Sequence, residues 1–233
     1  MRASLLAAGA AAAWSLPGLA PLMPSVSRAL RIPRRLDGDG VAVTFDDGPH
    51  PQGTPAVLEV LERFGVPATF FLTGEQVERE PALAAEIAAA GHAIALHGHR
   101  HRNMLGLPPG AVADDLRRGQ HAIAAATGRA PSTYRPPFGI FSAGGLVAVR
   151  REGFEPVLWS RWGRDWAARA TPDSIAVKVA GELSPGDVLL LHDADHYSSP
   201  GSWRNTAGAL PRVLQMIESR GLLPVRLQEA GSG

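Results

Sequence analysis

The sequence predicts an α/β fold built on a parallel sheet, and three observations lead there. Short apolar or β-branched runs alternate with longer helical patterns, the helical patterns carry their own start and stop residues, and polar residues able to do chemistry gather just after the apolar runs. Near-continuous apolar strands joined by helices need cover on both faces, which leaves a doubly wound sheet or a (β/α) barrel. A length of 233 residues suits one large domain with a well-buried core.

The strands are expected at residues 41–45, 68–72, 93–96, 132–135, 156–159, 188–191 and 223–227, with six helices between them. Thr54-Pro55 and Thr171-Pro172 set a hydroxyl before a first-turn proline, and Ser142 is a third candidate cap. Gly65, Gly91, Gly128, Gly153 and Gly221 are the expected stops. Val57, Leu58 and Leu61 line one face of the first helix, and Val213, Leu214 and Ile217 one face of the last.

Ahead of these elements, Ala3 to Ser27 carries no charged side chain. About 20 such residues can cross a bilayer as a helix. Pro17, Pro21 and Pro24 break the second half, however, and shorten the dependable stretch toward the length of a signal-peptide core. Residues 1–35 therefore read as an export signal or membrane anchor, giving an extracytoplasmic or membrane-anchored protein that associates with membrane through its N terminus. Residues 36–233 read as the folded domain. The competing reading is an Ala-rich helix packed on that domain. The charge flanks run against export, since only Arg2 precedes the run while Arg28, Arg31, Arg34 and Arg35 follow it.

Composition narrows the chemistry. Lys+Arg 23 against Asp+Glu 22 leaves a formal charge of +1, with no field to gather nucleic acid. With no cysteine there is no disulfide framework, thiolate zinc site or thiol nucleophile, so any metal must use His, Asp or Glu.

In parallel α/β folds ligands bind at the carboxyl ends of the strands. Five strands here end in reactive residues: Asp46-Asp47-Gly48-Pro49, His97-Gly98-His99-Arg100-His101, Arg135-Pro136-Pro137-Phe138-Gly139, Trp162-Gly163-Arg164-Asp165-Trp166 and His192-Asp193. Asp-Asp-Gly-Pro alone is turn chemistry, but a second carboxylate beside Asp47 at a buried strand end calls for a cation or a proton. The four-residue spacing of His97 and His101 lets two imidazoles meet one ion on a helical turn. A solvated His/Arg loop, a rigid proline turn, an aromatic cluster and a satisfied core histidine are the bland readings of the other segments, and their convergence at one sheet end outweighs them.

In that order, these segments resemble the polysaccharide deacetylases, carbohydrate esterase family 4, over roughly residues 41–214. The resemblance implies a distorted (β/α) barrel with about seven parallel strands. It also implies a metal-dependent hydrolase that removes N-acetyl or O-acetyl groups from a saccharide. Asp47, His97 and His101 would hold a divalent metal, zinc first, with cobalt or another divalent ion as the alternatives. Asp46 would be the general base on the attacking water, with Arg135 orienting it. His192 would be the general acid, held by Asp165. The main-chain N–H of Phe138 would bind the oxyanion, and Trp166 would touch substrate. Three positions depart from the family pattern: Gly98 replaces its usual hydroxyl residue and leaves His99 as a competing ligand, Trp162 stands where an earlier acid is common, and Phe138 replaces tyrosine.

The long connection from Ala194 to Asn205 reads as a rim whose Tyr197 and Trp203 stack on sugar rings. Peptidoglycan N-acetylglucosamine, chitin oligomers, acetylated xylan and a small non-sugar amide remain open as substrates. The rival function is a catalytically silent saccharide-binding protein, which would need none of Asp46, Arg135, Asp165 and His192.

Overall fold

In the computed structural model, which describes residues 2–227, the helices and strands alternate in this order: α1 (Arg2–Ser15), α2 (Pro24–Ala29), β1 (Val41–Asp46), α3 (Gly53–Phe64), β2 (Thr69–Leu72), α4 (Gly74–Arg79), α5 (Pro81–Ala89), β3 (Ala93–Leu96), α6 (Pro109–Thr127), β4 (Thr133–Tyr134), α7 (Ala143–Arg151), β5 (Glu155–Pro156), β6 (Arg161–Trp162), α8 (Pro172–Ala180), β7 (Val188–His192), α9 (Ser202–Glu218) and β8 (Pro224–Val225). The sheet order is β5-β4-β3-β2-β1-β7-β6, with β8 pairing the start of β1, and every named pairing is parallel.

The two ends of this sheet, β5 and β6, are joined by only four residues, 157–160. Such a link, five Cα-to-Cα steps from Pro156 to Arg161, reaches at most about 18 Å, so the two edges lie close together. The Val157 N–H donates to the Tyr134 carbonyl at 2.9 Å, and the Ser160 N–H donates to Val188 at 3.0 Å. Residues 155–162 thus act as one bent strand that holds β4 at its start and β7 at its end, curling the sheet into the expected distorted barrel. The strand expected at 156–159 is corrected accordingly: only Pro156 of it lies in β5, and a further strand, β6, ends on Trp162, the first residue of the aromatic segment. Two residues are too few to show a period, so β6 left no pattern in the sequence.

β1, β2 and most of β7 are buried on both faces, as a covered parallel sheet requires. Phe45, Phe70 and Phe71 fill the interior, and Val57, Leu61, Val213 and Ile217 bring the first and last long helices onto it. The helix ends are mostly as expected. Thr171 accepts from the Ser174 N–H, and the Ser174 side chain in turn accepts from the Thr171 N–H, while Ser142 accepts from Gly145 at 3.0 Å. Gly65 and Gly128 end α3 and α6 in the left-handed region.

Thr54 is a correction. It lies inside α3, and its hydroxyl donates to the buried Asp193 carboxylate instead of capping. The cap is supplied by His50, whose Nδ1 accepts from the N–H groups of Gln52 at 3.2 Å and Gly53 at 2.9 Å.

The N-terminal segment lies on the barrel from Trp14 onward. α1 ends at Ser15, just before Pro17, and at about 1.5 Å per residue it spans about 21 Å against roughly 30 Å of bilayer hydrocarbon. No helix among the described residues is long and apolar enough to cross a membrane. Trp14 donates to the Leu105 carbonyl at 3.1 Å, the Leu158 N–H donates to Pro33 at 2.8 Å, and Arg35 pairs with Asp187 at 2.9 Å. Ala20 and Ile32 join the core, Ile32 at 2 % exposure. Ile32→Ala is therefore expected to lower the unfolding free energy by about 2–5 kcal/mol in a urea titration, and a loss under 1 kcal/mol would show the segment to be dispensable to the core.

Candidate active site

β1 ends in Asp46, and its register with β7 sets Asp46 beside His192. Asp47 follows with φ +79°, and Phe138, after β4, has φ +60°. Left-handed backbone is uncommon for residues other than glycine and tends to persist where the surroundings impose it. Both residues line one cavity of about 260 Å³ together with Asp46, His97, His101 and His192.

Asp47, His97 and His101 offer ligand atoms that all lie within 4.8 Å of one another. Asp47 Oδ1 is 3.4 Å from His97 Nε2 and 3.5 Å from His101 Nε2. The His97 Nδ1 is 2.8 Å from the Arg135 carbonyl. A carbonyl can only accept, so Nδ1 carries the hydrogen of this bond and Nε2 is the ring atom that faces Asp47. Burial, aided by His97, drives His101 down to about 4 against the pull of Asp47, so its imidazole is neutral at pH 7. Burial alone would raise Asp47, but its contact with His97 and the charge of His192 outweigh that and hold it at about 2. Its Oδ1 is buried without a hydrogen-bond partner among the described residues.

A lone carboxylate oxygen facing ring nitrogens is a donor set that fits a divalent cation. The spacing agrees, because tetrahedral ligands at 2.0–2.1 Å sit about 3.3 Å apart. The two histidines meet on a loop, however, and not on the helical turn that their spacing suggested. His99 is turned elsewhere: its main-chain N–H donates to Asp115 Oδ2 at 2.7 Å, and its ring faces Glu78 at 3.9 Å.

Asp46 is held from the opposite side. Arg135 is fully buried, and its guanidinium donates to Asp46 Oδ1 at 2.6 Å, to the Thr44 hydroxyl at 2.8 Å and to the Leu158 carbonyl at 3.3 Å. It also lies 3.9 Å over the Phe71 ring, which fixes its plane.

His192 forms the second acid/base pair. Its Nδ1 lies 3.0 Å from Asp165 Oδ1, while Asp165 Oδ2 accepts from the His192 N–H at 2.7 Å and the Thr206 hydroxyl at 2.8 Å. Burial would lower this imidazole, but Asp165 outweighs it and raises His192 to about 10. Trp166 packs edge-on against the ring at 5.3 Å. Across the cavity, the turn containing Phe138 uses the N–H groups of Gly139 and Ile140 and leaves that of Phe138 free of it.

The expected aromatic rim is half right. Tyr197 lines the cavity, but it stacks on His101 at 4.2 Å and 9°, and Gln76 and Glu75 hold its hydroxyl. Trp203 packs 5.9 Å from the His50 ring and is stacked by Arg204, away from the cavity lining. Sequence reasoning passed over Thr44, Thr206 and Trp159. Thr44 had a signal, being the one hydroxyl in an otherwise apolar buried strand, whereas Thr206 had none.

Comparison with known proteins bears on this geometry. The polysaccharide deacetylase family matches residues 34–157. A chitooligosaccharide deacetylase of Bradyrhizobium sp. (strain ANU 289) is 37 % identical over 192 residues, covering 82 % of this chain and 85 % of the relative. A family 4 carbohydrate esterase from Streptomyces lividans, solved with acetate, superposes with a TM-score of 0.73 at 31 % identity, covering 82 % and 94 % of the two chains. A family 4 acetyl xylan esterase from Clostridium thermocellum, solved with a cobalt ion, has a TM-score of 0.71 at 27 % identity, with 80 % and 87 % covered.

The raised His192 carries a consequence for pH. A folded-state pKa of about 10, above the unfolded value of about 6.5, means that the His192–Asp165 pair stabilises fully below pH 6.5 and loses that contribution as pH climbs through 10. In Asp165→Asn the imidazole should titrate several units lower by NMR, and the alkaline decline in stability should flatten. An unmoved titration would show that Asp165 does not set the His192 charge.

Proposed function

Because this chain belongs to the polysaccharide deacetylase family, we propose that it hydrolyses N-acetyl groups on an oligo- or polysaccharide, with O-acetyl esters as the second substrate chemistry. The observation that carries this reading is the placement of two separately supported acid/base groups, Asp46 with Arg135 and His192 with Asp165, around the Asp47, His97 and His101 donors in one cavity. A silent saccharide-binding protein needs neither pair.

Asp47, His97 and His101 would hold the divalent ion, zinc first among the candidates. Such an ion supplies Lewis-acid chemistry, acidifying water and polarising an acyl oxygen. Asp46 accepts the proton of the attacking water, and Arg135 fixes the carboxylate so that its free oxygen faces the cavity. The Phe138 N–H donates to the developing oxyanion. His192, charged at neutral pH, then protonates the departing amine, and Asp165 holds its Nδ1 so that Nε2 is the donating atom. Trp166 and Tyr197 shape the cavity wall for the acyl and sugar groups.

At the N terminus, the uncharged run supports export or membrane association as a retained segment, since residues from Trp14 onward pack on the barrel.

Acetate release from chitin oligomers, peptidoglycan fragments and acetyl-xylan tests the reading with the full chain. It should stop on chelation and return with zinc or cobalt; release that ignores chelator would sink the metal role. Asp46→Asn should keep the ion and lower turnover by about 10² to 10⁴, and unchanged turnover removes Asp46 as base. His101→Ala should lose the ion as well as activity, whereas His99→Ala should keep it; the reverse in metal analysis would move the ligand to His99.

A further inference from the structure

We infer that Asp115, on α6, is the positioning residue of the loop that carries His97 and His101. The inference rests on reading those histidines and Asp47 as metal ligands.

The loop has little structure of its own. Residues 97–101 form neither helix nor strand, and Gly98 adopts φ +86°. A chain in this state does not fix two imidazoles by itself, so its geometry must be imposed from outside. Two helices impose it. The N–H groups of Gly74 and Glu75, at the start of α4, donate to the carbonyls of Gly98 and His99, each at 2.9 Å. From the other side Gly119 lets α6 approach so closely that an added Cβ would lie 3.0 Å from the His99 nitrogen.

Asp115 lies one helical turn before Gly119 and holds both halves of the loop. Its Oδ2 accepts from the His99 N–H at 2.7 Å, between the two histidines, and its Oδ1 accepts from the Arg102 guanidinium at 2.6 Å, just beyond His101. A Cβ added at Gly98 would lie 3.0 Å from Asp115 Oδ2 and 3.2 Å from the Arg100 carbonyl. The carboxylate thus occupies the space that a side chain at position 98 would need. The carboxylate reaches in from a neighbouring helix, and its charge makes both hydrogen bonds strong ones. Asp115 touches no reacting atom. It acts through the loop, as groups that orient metal ligands do, and removing such groups costs 10–100-fold in metal affinity.

The test is zinc affinity of the full chain, measured by competition with a chromogenic chelator, beside melting of the metal-free protein. Asp115→Ala should weaken zinc about 10–100-fold. Asp115→Asn, whose amide oxygen can still accept from the His99 N–H but whose NH2 group cannot accept from Arg102, should fall between it and the unaltered chain. Asp114→Asn, one residue away on an exposed side chain paired to Arg117, should leave affinity unchanged. Unchanged affinity in Asp115→Ala overturns the inference, and so does a loss matched by a collapse in metal-free melting. If Asp115→Ala fails to fold, Asp115→Asn decides on the same criterion. If the unaltered chain binds no zinc, the ligand assignment itself fails, whereas one ion bound equally by every variant overturns only the role of Asp115.

Discussion

The buried ion pair between Arg135 and Asp46 is the interaction on which the rest of the site depends. A guanidinium with no exposed surface is expensive to desolvate, and it persists only because Asp46, Thr44 and the Leu158 carbonyl receive its protons while Phe71 lies against its face. Removing one member of such a pair typically costs about 3–5 kcal/mol, because the other charge is left alone. The pair also ties three parts of the barrel together: β1 through Asp46 and Thr44, the end of β4 through Arg135 itself, and the bent closing strand through Leu158. The main-chain carbonyl of the same residue fixes the His97 tautomer. One residue therefore orients the proposed base with its side chain and a proposed metal ligand with its backbone.

The two acid/base pairs are built on opposite electrostatic plans. Asp46 is neutralised by a permanent cation that cannot give up its proton at any working pH. His192 is neutralised by a carboxylate that favours its protonated form. The same barrel end thereby holds the proposed proton acceptor and the proposed proton donor, which is the separation that acid/base catalysis requires.

Much of this was legible in the sequence. Polar residues at the ends of apolar runs located the cavity, because a covered parallel sheet can present them only at its rim. Asp46, Asp47, His97, His101, Arg135 and His192 all stand where that rule places them. What stayed hidden depends on long-range geometry. The left-handed backbone of Asp47 and Phe138, the hydrogen bond from His97 to the Arg135 carbonyl and the support of Asp165 by Thr206 are contacts between distant segments with no local pattern. Thr54 misled because its hydroxyl and the following proline satisfy a helix-start rule locally, while burial beside Asp193 claims the hydroxyl for a tertiary contact. β6 was missed because two residues paired at a barrel seam follow the seam and not a propensity.

The position of β1 has a consequence for how the molecule comes into being. This strand is early in the chain, yet two of its partners, β7 and β8, are among the last segments. A nascent chain leaving the ribosome carries Asp46 and Asp47 long before His192 exists. The central strand then waits with one edge unpaired, and such an edge is a template for wrong partners. Closing contacts so distant in sequence makes folding slow, and the core is complete only once β7 and β8 have been made. The arrangement that places the proposed acid next to the proposed base thus delays assembly of the proposed site until β7 has been made.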